Sequence, residues 1–368
     1  MEDISRNTLA LLAHLEPDFI IPGALKRFYP SMQGLLEAHR TTASLNCLSL
    51  LMRSIARHKV YRSHVMSLLG LALPGIDSND LSKTQLTLTF ITTTCMLVPL
   101  HNLSDEGDEG NLALNWLTSQ MEILESMPGD NFPEDLLEAD DAELDAIARS
   151  STGTLAEWVI SFFNQIFVFL GNMPEHKHSK TTEEAMVPII ALTVSTVLQS
   201  LEPELFTLAL NKMQRFVSEN MYFHASEAAA NIVRAFVEIR PEESLAAFFD
   251  PIIANIKTEI FENGAGISGR ITTTEVVPGD RALLWNWRLF SALMGPRTGR
   301  ALLPYLSRPD SPARQVFEWS VTICRGTIYH YVGKPLINAL SSLTNIYTVP
   351  GPLIKKESSL TSLEMINF

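Results

Sequence analysis

Cysteine is scarce in this chain of 368 residues, which has only Cys47, Cys95 and Cys324. The three are far apart and odd in number, so the sequence excludes a disulfide framework and a Cys-x-x-Cys metal site. We expect buried thiols in a reducing compartment. No stretch reaches the roughly 18 uninterrupted apolar residues of a membrane span. The opening MEDISRNTLALLAHLEPD is neither a signal nor a transit peptide, so we expect an intracellular, soluble protein without a membrane.

Catalytic motifs are missing too, because the sequence has no H-E-x-x-H, no G-x-S-x-G and no P-loop. Gly264, Gly266 and Gly269 have the G-x-G-x-x-G spacing of a dinucleotide-binding loop. That loop needs a preceding strand, whereas the preceding NIKTEIF reads as helix. His176 and His178 could share a metal ion, but no third ligand is near them. We predict no catalytic residue and no metal ligand, and the sequence leaves any cofactor-binding residue unknown.

Positive charge is absent from one segment. Between Asp105 and Asp145 there are 14 acidic residues and no Lys or Arg, which leaves 27 acids and 28 bases elsewhere and accounts for the net charge of -13. Clusters of Gly, Pro and acids around short amphipathic pieces are typical of a solvated insertion between packed helices. We place this acidic insertion at about residues 101–150. A surface for basic clients such as histones is the alternative, and direct nucleic-acid binding is not expected.

Apolar residues, by contrast, are plentiful. They make up 46% of the chain, and charged residues make up 19%, below the roughly 25% of ordinary soluble domains. Helices here are therefore expected to be covered on two sides. Helical periodicity recurs from Thr8 to Tyr347, with brief connections that carry Pro, Gly, Asn and Ser. One of the predicted helices runs over about Ala24–Ala38, with Pro22 in its first turn.

An internal repeat defines the predicted fold. The stretches 201–204 and 239–242 each place an apolar residue, a charge, a proline and a glutamate at a helix start, 38 residues apart, and Glu16-Pro17-Asp18 is a weaker copy. A period near 40 with two helices is the HEAT or armadillo spacing. We predict an all-α fold, an α-solenoid of HEAT/armadillo-like helix pairs over residues 1–350. An irregular Gly-rich loop or small hairpin is expected at about 262–279, and a loosely ordered tail at 351–368.

The stretch from Leu71 to Leu100 shows how the helices are delimited. Pro74-Gly75 predicts a turn, because glycine accepts the left-handed backbone that ends a helix. The side chains from Asp77 to Asn79 are candidate caps for the next helix, and Asp80 adds negative charge there. Apolar or small residues then recur every three or four positions and predict a helix over Leu81–Leu97, although LTLTF at 86–90 alternates as a strand does.

Aromatic residues form two clusters. Trp285 and Trp287 are two positions apart and cannot share one helix face, so we expect both in the core, one at the seam between helix pairs and the other against a neighbouring turn or the concave surface. Four phenylalanines make the helix around WVISFFNQIFVFLGN apolar nearly all round, which is typical of a helix buried among other helices; an exposed partner groove is the alternative. They are Phe162, Phe163, Phe167 and Phe169.

Several of these runs resemble one family. LPGIDSNDLSKT (73–84) and the upstream EPDFIIPGALKRFYPSMQGLLEAHRT (16–41) resemble the middle region of the large, ATP-independent, HEAT-repeat proteasome activators of the bleomycin-resistance type. RPEESLAAFF (240–249), RALLWNWRLFSAL (281–293) and NALSSLTNIYTVPG (338–351) resemble the same family in the same order. The resemblance covers nearly the whole chain, but only a part of the family's much longer protein.

The resemblance implies a non-catalytic scaffold, part of a dome-like activator that caps the proteasome core particle. It would promote ATP- and ubiquitin-independent degradation of peptides and acetylated histones in the nucleus and cytoplasm, with a role in DNA repair. Family members anchor through a C-terminal hydrophobic-tyrosine-any tripeptide, whereas this chain ends Ile366-Asn367-Phe368. Core-particle binding is therefore expected through the full-length family architecture rather than through this chain alone.

Three further expectations complete the sequence-based picture. The family holds inositol phosphates at basic openings, but no Lys/Arg cluster here matches a motif, so no cofactor is placed on this chain. The alternative function is a HEAT-repeat adaptor or nuclear-transport-type scaffold, and an enzyme is not expected. Neither end of the chain resembles the polar capping helix of a solenoid, so we expect the isolated chain to self-associate.

Overall fold

The computed structural model describes residues 2–33, 38–105, 107, 110–126, 139–174, 182–263, 278–295, 298–306, 311 and 318. Within those ranges the regular structure is helical, with no strand and one isolated parallel bridge between Leu100 and Leu201. The α-helices are α1 (Glu2–Leu15), α2 (Pro17–Gln33), α3 (Ala38–Arg57), α4 (His64–Ala72), α5 (Leu81–Leu97), α6 (Asn111–Ser126), α7 (Asp141–Ser151), α8 (Leu155–Gly171), α9 (Thr182–Ser200), α10 (Pro203–Glu219), α11 (Ser226–Ile239), α12 (Pro241–Phe261), α13 (Pro278–Leu293) and α14 (Gly299–Leu306).

Some of the predictions made from the sequence concern residues that the structure does not describe. Most of the irregular loop at 262–279 lies outside the described residues. The same is true of the tail at 351–368 and of nearly all of the helical periodicity that the sequence shows after residue 306.

The chain divides into two compact units, one comprising Met1–Asn172 and His178–Ala209, the other Met173–Lys177 and Leu210–Phe368. In the first unit α5 packs against both α3 and α9, α4 packs against α3 and α5, and α6 and α7 form a hairpin that contacts α2 and α4. In the second unit α11, α12 and α13 pack together and α14 contacts α12. Consecutive helices pair and alternate helices stack among α1, α2 and α3 and again among α11, α12 and α13, which is the packing that the HEAT spacing predicts, whereas α9 packs on α5.

Prolines mark three of the helix starts. Pro17, Pro203 and Pro241 are the first residues of α2, α10 and α12. Proline suits this position because its fixed φ fits a helix and its missing N–H would have no partner there. The proline repeat predicted from the sequence is therefore confirmed. The prediction that Pro22 lies in the first turn of this helix is wrong, because Pro17 starts the helix and Pro22 lies inside it.

The start of α5 is built differently from the prediction, although the predicted bounds Leu81–Leu97 are confirmed. The N-cap is Asp80, whose side chain accepts a hydrogen bond from the backbone N–H of Lys83 at 2.9 Å. Asp77 was expected to contribute to the cap, but its carboxylate accepts from the N–H of Asn79 at 2.9 Å. Asp77 therefore shapes the turn before the helix and leaves the cap to Asp80.

Gly75 is required by a close contact and not by a left-handed backbone. Leu73–Gly75 form a single 3-10 turn. A Cβ at Gly75 would lie 2.2 Å from Thr87 Oγ1, well inside van der Waals contact. The hydroxyl of Thr84 lies 2.7 Å from the carbonyl oxygen of Asp77, to which it can donate a hydrogen bond. The turn is thus held directly against the first turns of α5.

The core of the first unit covers α5 on two sides. Its buried residues are Thr84, Thr87, Leu88, Phe90, Ile91, Thr94 and Cys95. Because α3 and α9 both pack on this helix, the strand-like alternation at 86–90 does not produce a strand. Burial raises the pKa of the Cys95 thiol to about 12, so this thiol is unreactive. Cys47 is half-buried, and Cys324 lies outside the described residues.

Candidate interaction surfaces

The pairing of α5 with α9 creates one extended surface in the first unit. The Leu100 N–H donates to the Ser200 carbonyl at 2.9 Å, and the Glu202 N–H donates to the Leu100 carbonyl at 3.2 Å. Between the helices, the Thr92 hydroxyl donates to the Thr193 hydroxyl at 2.9 Å. The bridge is parallel, so the two helices run in the same direction with their C-terminal ends joined.

This surface has no formal charge. Residues 85–100 and 185–201 contain no Asp, Glu, Lys or Arg. We call the outward-facing side chains of these two stretches the neutral face. Its exposed members are Gln85, Thr89, Met96, Leu97, Pro99, Ala185, Pro188, Leu192 and Gln199. Exposed helical faces normally carry charged residues, so a surface of this length without them is unusual.

The threonine hydroxyls on and beside the neutral face already have partners. Thr89 Oγ1 donates to the Gln85 carbonyl at 2.8 Å, and Thr93 Oγ1 donates to the Thr89 carbonyl at 2.9 Å. On α9, Thr196 Oγ1 donates to the Leu192 carbonyl at 2.9 Å. Because each hydroxyl hydrogen is used within its own helix, the exposed Thr89 and the half-buried Thr93 offer mainly methyl groups and weak acceptors to a partner, and Thr196 is buried.

Part of the acidic insertion is docked rather than free. On α7, Asp141 pairs with Lys59 at 2.6 Å and Asp145 pairs with Arg62. Both basic residues lie in the connection between α3 and α4. These ion pairs are substantially exposed, so they orient the hairpin more than they stabilise it. The segment from Asp105 to Asp145 remains strongly acidic, since two pairs offset only a small part of its charge.

A buried polar cluster joins the hairpin to the rest of the unit. The Tyr29 hydroxyl on α2 donates to His64 Nδ1 at 2.8 Å, and His64 Nε2 lies 2.8 Å from Gln120 Oε1 on α6. Because an amide oxygen can only accept, the imidazole carries its hydrogen on Nε2. His64 is fully buried, and burial lowers its pKa to about 4 against the opposing effect of the Gln120 hydrogen bond. Burial also raises the pKa of Tyr29 to about 12.

Sequence reasoning missed this cluster and the two ion pairs. Their partners are separated by 35 to 83 residues, so no local pattern connects them. One signal was available: Lys59 and Arg62 are three apart, and Asp141 and Asp145 are four apart on a helix. The four-residue spacing places both carboxylates on one face of α7, whereas Lys59 and Arg62 lie in the turn between α3 and α4.

The sequence suggested and rejected two candidate sites, a dinucleotide-binding loop and a metal site, and both lie outside the described residues. This holds for Gly264, Gly266 and Gly269, and for His176 and His178. Among the residues that the structure describes, no group of three or more His, Cys, Asp or Glu side chains could hold a metal ion.

The prediction that both tryptophans lie in the core is confirmed. Trp285 and Trp287 are both 0% exposed in the second unit. The Trp285 indole N–H donates to the Val217 carbonyl at 3.4 Å, and Trp287 meets Phe290 edge to face with ring centroids 5.5 Å apart. Both side chains therefore fill the core on different sides of α13.

The phenylalanine-rich helix α8 is a core helix of the first unit. Phe162, Phe163 and Phe169 are buried, Phe167 is half-buried, and Val168 is 59% exposed. The continuous helical stretch Asp141–Gly171 is the one described segment long and apolar enough, by length and composition, to cross a membrane. Core helices meet the same criterion, and the burial of α8 agrees with that explanation.

Comparison with known proteins agrees with this architecture. The family model described as "Proteasome activator complex subunit 4, mid HEAT repeats region" matches residues 2–364. Proteasome activator complex subunit 4B of Danio rerio is 30% identical over 308 residues, and proteasome activator complex subunit 4 of Homo sapiens is 29% identical over 308 residues; each alignment covers 80% of this chain. Proteasome activator subunit 4 of Arabidopsis thaliana is 21% identical over 294 residues, 72% of this chain. The chain covers about 15% of the length of these relatives.

The packed helix pairs and the match together define a HEAT-repeat scaffold with the all-α, α-solenoid class of fold. The predicted fold class is confirmed. The chain belongs to the proteasome activator complex subunit 4 family and corresponds to its mid HEAT-repeat region. The resemblance inferred from LPGIDSNDLSKT and the later runs is thereby confirmed as well.

Proposed function

We propose that this chain is a non-catalytic wall segment of a proteasome activator. In that role it helps to cap the proteasome core particle, in the nucleus and cytoplasm, and to promote degradation of peptides and acetylated histones without ATP or ubiquitin. The observation that carries the proposal is the family match over residues 2–364. We further propose that residues 1–350 act as one solenoid segment, that the role requires no cofactor, and that neither nucleic acid nor a membrane is a direct partner.

The physical basis is the kind of surface that stacked helices offer. Helix pairs that bury each other's apolar sides leave long outer faces for protein contacts. The neutral face and the acidic hairpin formed by α6 and α7 are two such faces with different chemistry. They support a scaffold that contacts more than one kind of protein segment.

Co-sedimentation with purified core particles tests the proposal. The chain and a full-length relative that carries it are each mixed with core particles and centrifuged through a glycerol gradient. We expect the full-length relative to travel with the core particle and to speed the hydrolysis of a fluorogenic peptide without ATP. Deleting this segment from the relative should remove the stimulation. Unchanged stimulation after the deletion would contradict the proposal, as would selective binding to a transport GTPase or a phosphatase subunit.

Histone clients can be tested separately. Acetylation removes the charge of a lysine side chain, so acetylated and unmodified tails form a matched pair that differs mainly in charge. We expect the full-length relative to accelerate proteasomal loss of acetylated histones more than of unmodified histones. Equal rates for the two forms would exclude this client preference while leaving the binding to core particles intact.

The non-catalytic part of the proposal has its own assay. The purified chain is incubated with a panel of ester, peptide, phosphate and glycoside substrates. We expect no turnover above buffer, because the sequence contains none of the catalytic motifs that such reactions use. Reproducible turnover that follows the protein through two different columns would refute the scaffold assignment.

A further inference from the structure

We infer that the acidic hairpin formed by α6 and α7 is a hinged flap, which opens from the first unit as one body and is latched closed by two ion pairs. The inference is independent of the proposed function, because it concerns a movement built into the fold. Its consequence is that Lys59 and Arg62, which the closed flap engages, become free together when the flap opens.

The base of the hairpin has the geometry of a hinge. The segments that enter and leave it lie side by side there, because the Ala113 N–H at the start of α6 donates to Ser150 Oγ at the end of α7 at 3.0 Å. A Cβ on Gly110, just before α6, would lie 3.1 Å from Thr154 Cγ2, just after α7. Both ends of the flap are therefore attached at one place, about which it can turn.

The backbone on each side of this base departs from regular α-helix. Gly107 and Gly110 have φ values of 87° and 84°, in the left-handed region that glycine enters without strain. On the other side, the 3-10 turn Thr152–Thr154 separates α7 from α8. A 3-10 turn within a helical stretch is a common position for a hinge. Rotation at these two short segments moves the flap without altering α8.

The ion pairs that hold the flap closed lie away from the base. Asp141 is the first residue of α7 and pairs with Lys59 at 2.6 Å. Asp145 pairs with Arg62 one turn later. Exposed ion pairs contribute little to stability, and salt weakens them further. Two weak contacts at this end of the flap can therefore fix its closed position and still release it.

The inner face of α6 adds only partial attachment. Four of its 16 residues are buried, against eight of the 17 residues of α8. Gln120 Oε1 accepts from His64 Nε2, but Gln120 Nε2 and Trp116 Nε1 are buried with no protein group accepting from them. Opening lets water reach both donors, which offsets part of the loss of apolar contact. The flap is therefore easier to open than the core of the unit.

Native-state hydrogen exchange, measured by mass spectrometry on wild type in increasing urea, tests the movement itself. We expect α6 and α7 to share one opening reaction, with protection factors at least about tenfold lower than those of α8. That opening should also respond less to urea than the opening of α8 does, because it exposes less surface. Equal protection and equal urea dependence in the three helices would overturn the inference, since the hairpin would then open only with the whole unit.

Charge reversal tests the latch. Lys59→Glu/Arg62→Glu reverses it, and Arg53→Glu/Arg57→Glu is the matched control, which makes the same change of charge at exposed positions of α3. We expect the reversed latch to lower protection about tenfold in α6 and α7 and less than about threefold in α8, because two attractions become repulsions. The inference is wrong if the control has the same effect, or if α8 loses as much protection as α6.

Restoring the pairs with opposite polarity separates the latch from the rest of the fold. Asp141→Lys/Asp145→Lys is added to the reversed latch, so that each acid again faces a base. We expect α6 and α7 to recover to within about threefold of wild-type protection, an allowance that covers the cost of a lysine in the first turn of α7. No recovery in α6 and α7, with α8 still protected, would show that these ion pairs do not hold the flap closed.

Discussion

Acidification should weaken the first unit through His64. The folded state holds this imidazole neutral, with a pKa of about 4 against an ordinary value of 6.5. Below pH 6.5 the unfolded state binds a proton that the folded state does not, so the stability present at neutral pH is lost progressively as the pH falls towards 4. Acidification below pH 4 should lower the free energy of unfolding by about 3 kcal/mol in all. About 2 kcal/mol of that decrease is expected by pH 5.

Hydrogen exchange measured by mass spectrometry can check this on peptides from α4. A loss of about 2 kcal/mol should lower the protection factors, corrected for intrinsic rates, about 30-fold between pH 7.5 and pH 5. His64→Gln keeps a donor and an acceptor but cannot titrate, so its protection should change much less over that range. His101→Gln replaces an exposed histidine and should behave as the wild type. If wild type and His64→Gln lose the same protection, burial of His64 is not the cause of the pH dependence.

Three other predictions follow from particular contacts. Gly75→Ala should destabilise the first unit by about 1–3 kcal/mol, because its Cβ would meet Thr87 Oγ1 at 2.2 Å; Thr87→Ala should restore part of the loss in a double variant followed by urea unfolding. Trp287→Ala should cost the second unit about 3–5 kcal/mol, whereas Phe261→Ala, at a side chain 62% exposed, should cost far less; equal shifts in thermal unfolding would argue against the buried position. Leu15 on α1 is 71% exposed and should contribute to self-association. At high concentration, light scattering should therefore find a smaller mass for Leu15→Glu than for wild type. A monomeric wild type would contradict this prediction.

Much of the helical framework follows from local sequence signals. Pro17, Pro203 and Pro241 each start a helix, because proline imposes its backbone angle without help from the rest of the fold. The periodicity after Asp80 sets the bounds of α5 to the residue. Details that depend on side-chain competition were not predictable in the same way. Several neighbouring side chains could cap α5, and only the folded turn determines which one reaches the free N–H groups.

The surfaces were harder to derive than the helices. The absence of charge from 85–100 and 185–201 is visible in the sequence, but nothing local indicates that the two stretches lie side by side. The same limit applies to the cluster of Tyr29, His64 and Gln120, which combines three helices. An ordinary polar residue such as Gln120 gives no signal of burial on its own. Long-range pairing, and not propensity, decides which residues share a surface.

The bridge between Leu100 and Leu201 has a consequence for synthesis. Leu201 leaves the ribosome 101 residues after Leu100, which is roughly 5 to 20 s later at ordinary elongation rates. During that interval the side of α5 that later contacts α9 has no covering helix, although α3 and α4 are already available. A nascent chain of this kind therefore offers a chaperone a defined apolar target, and the target disappears when α9 emerges.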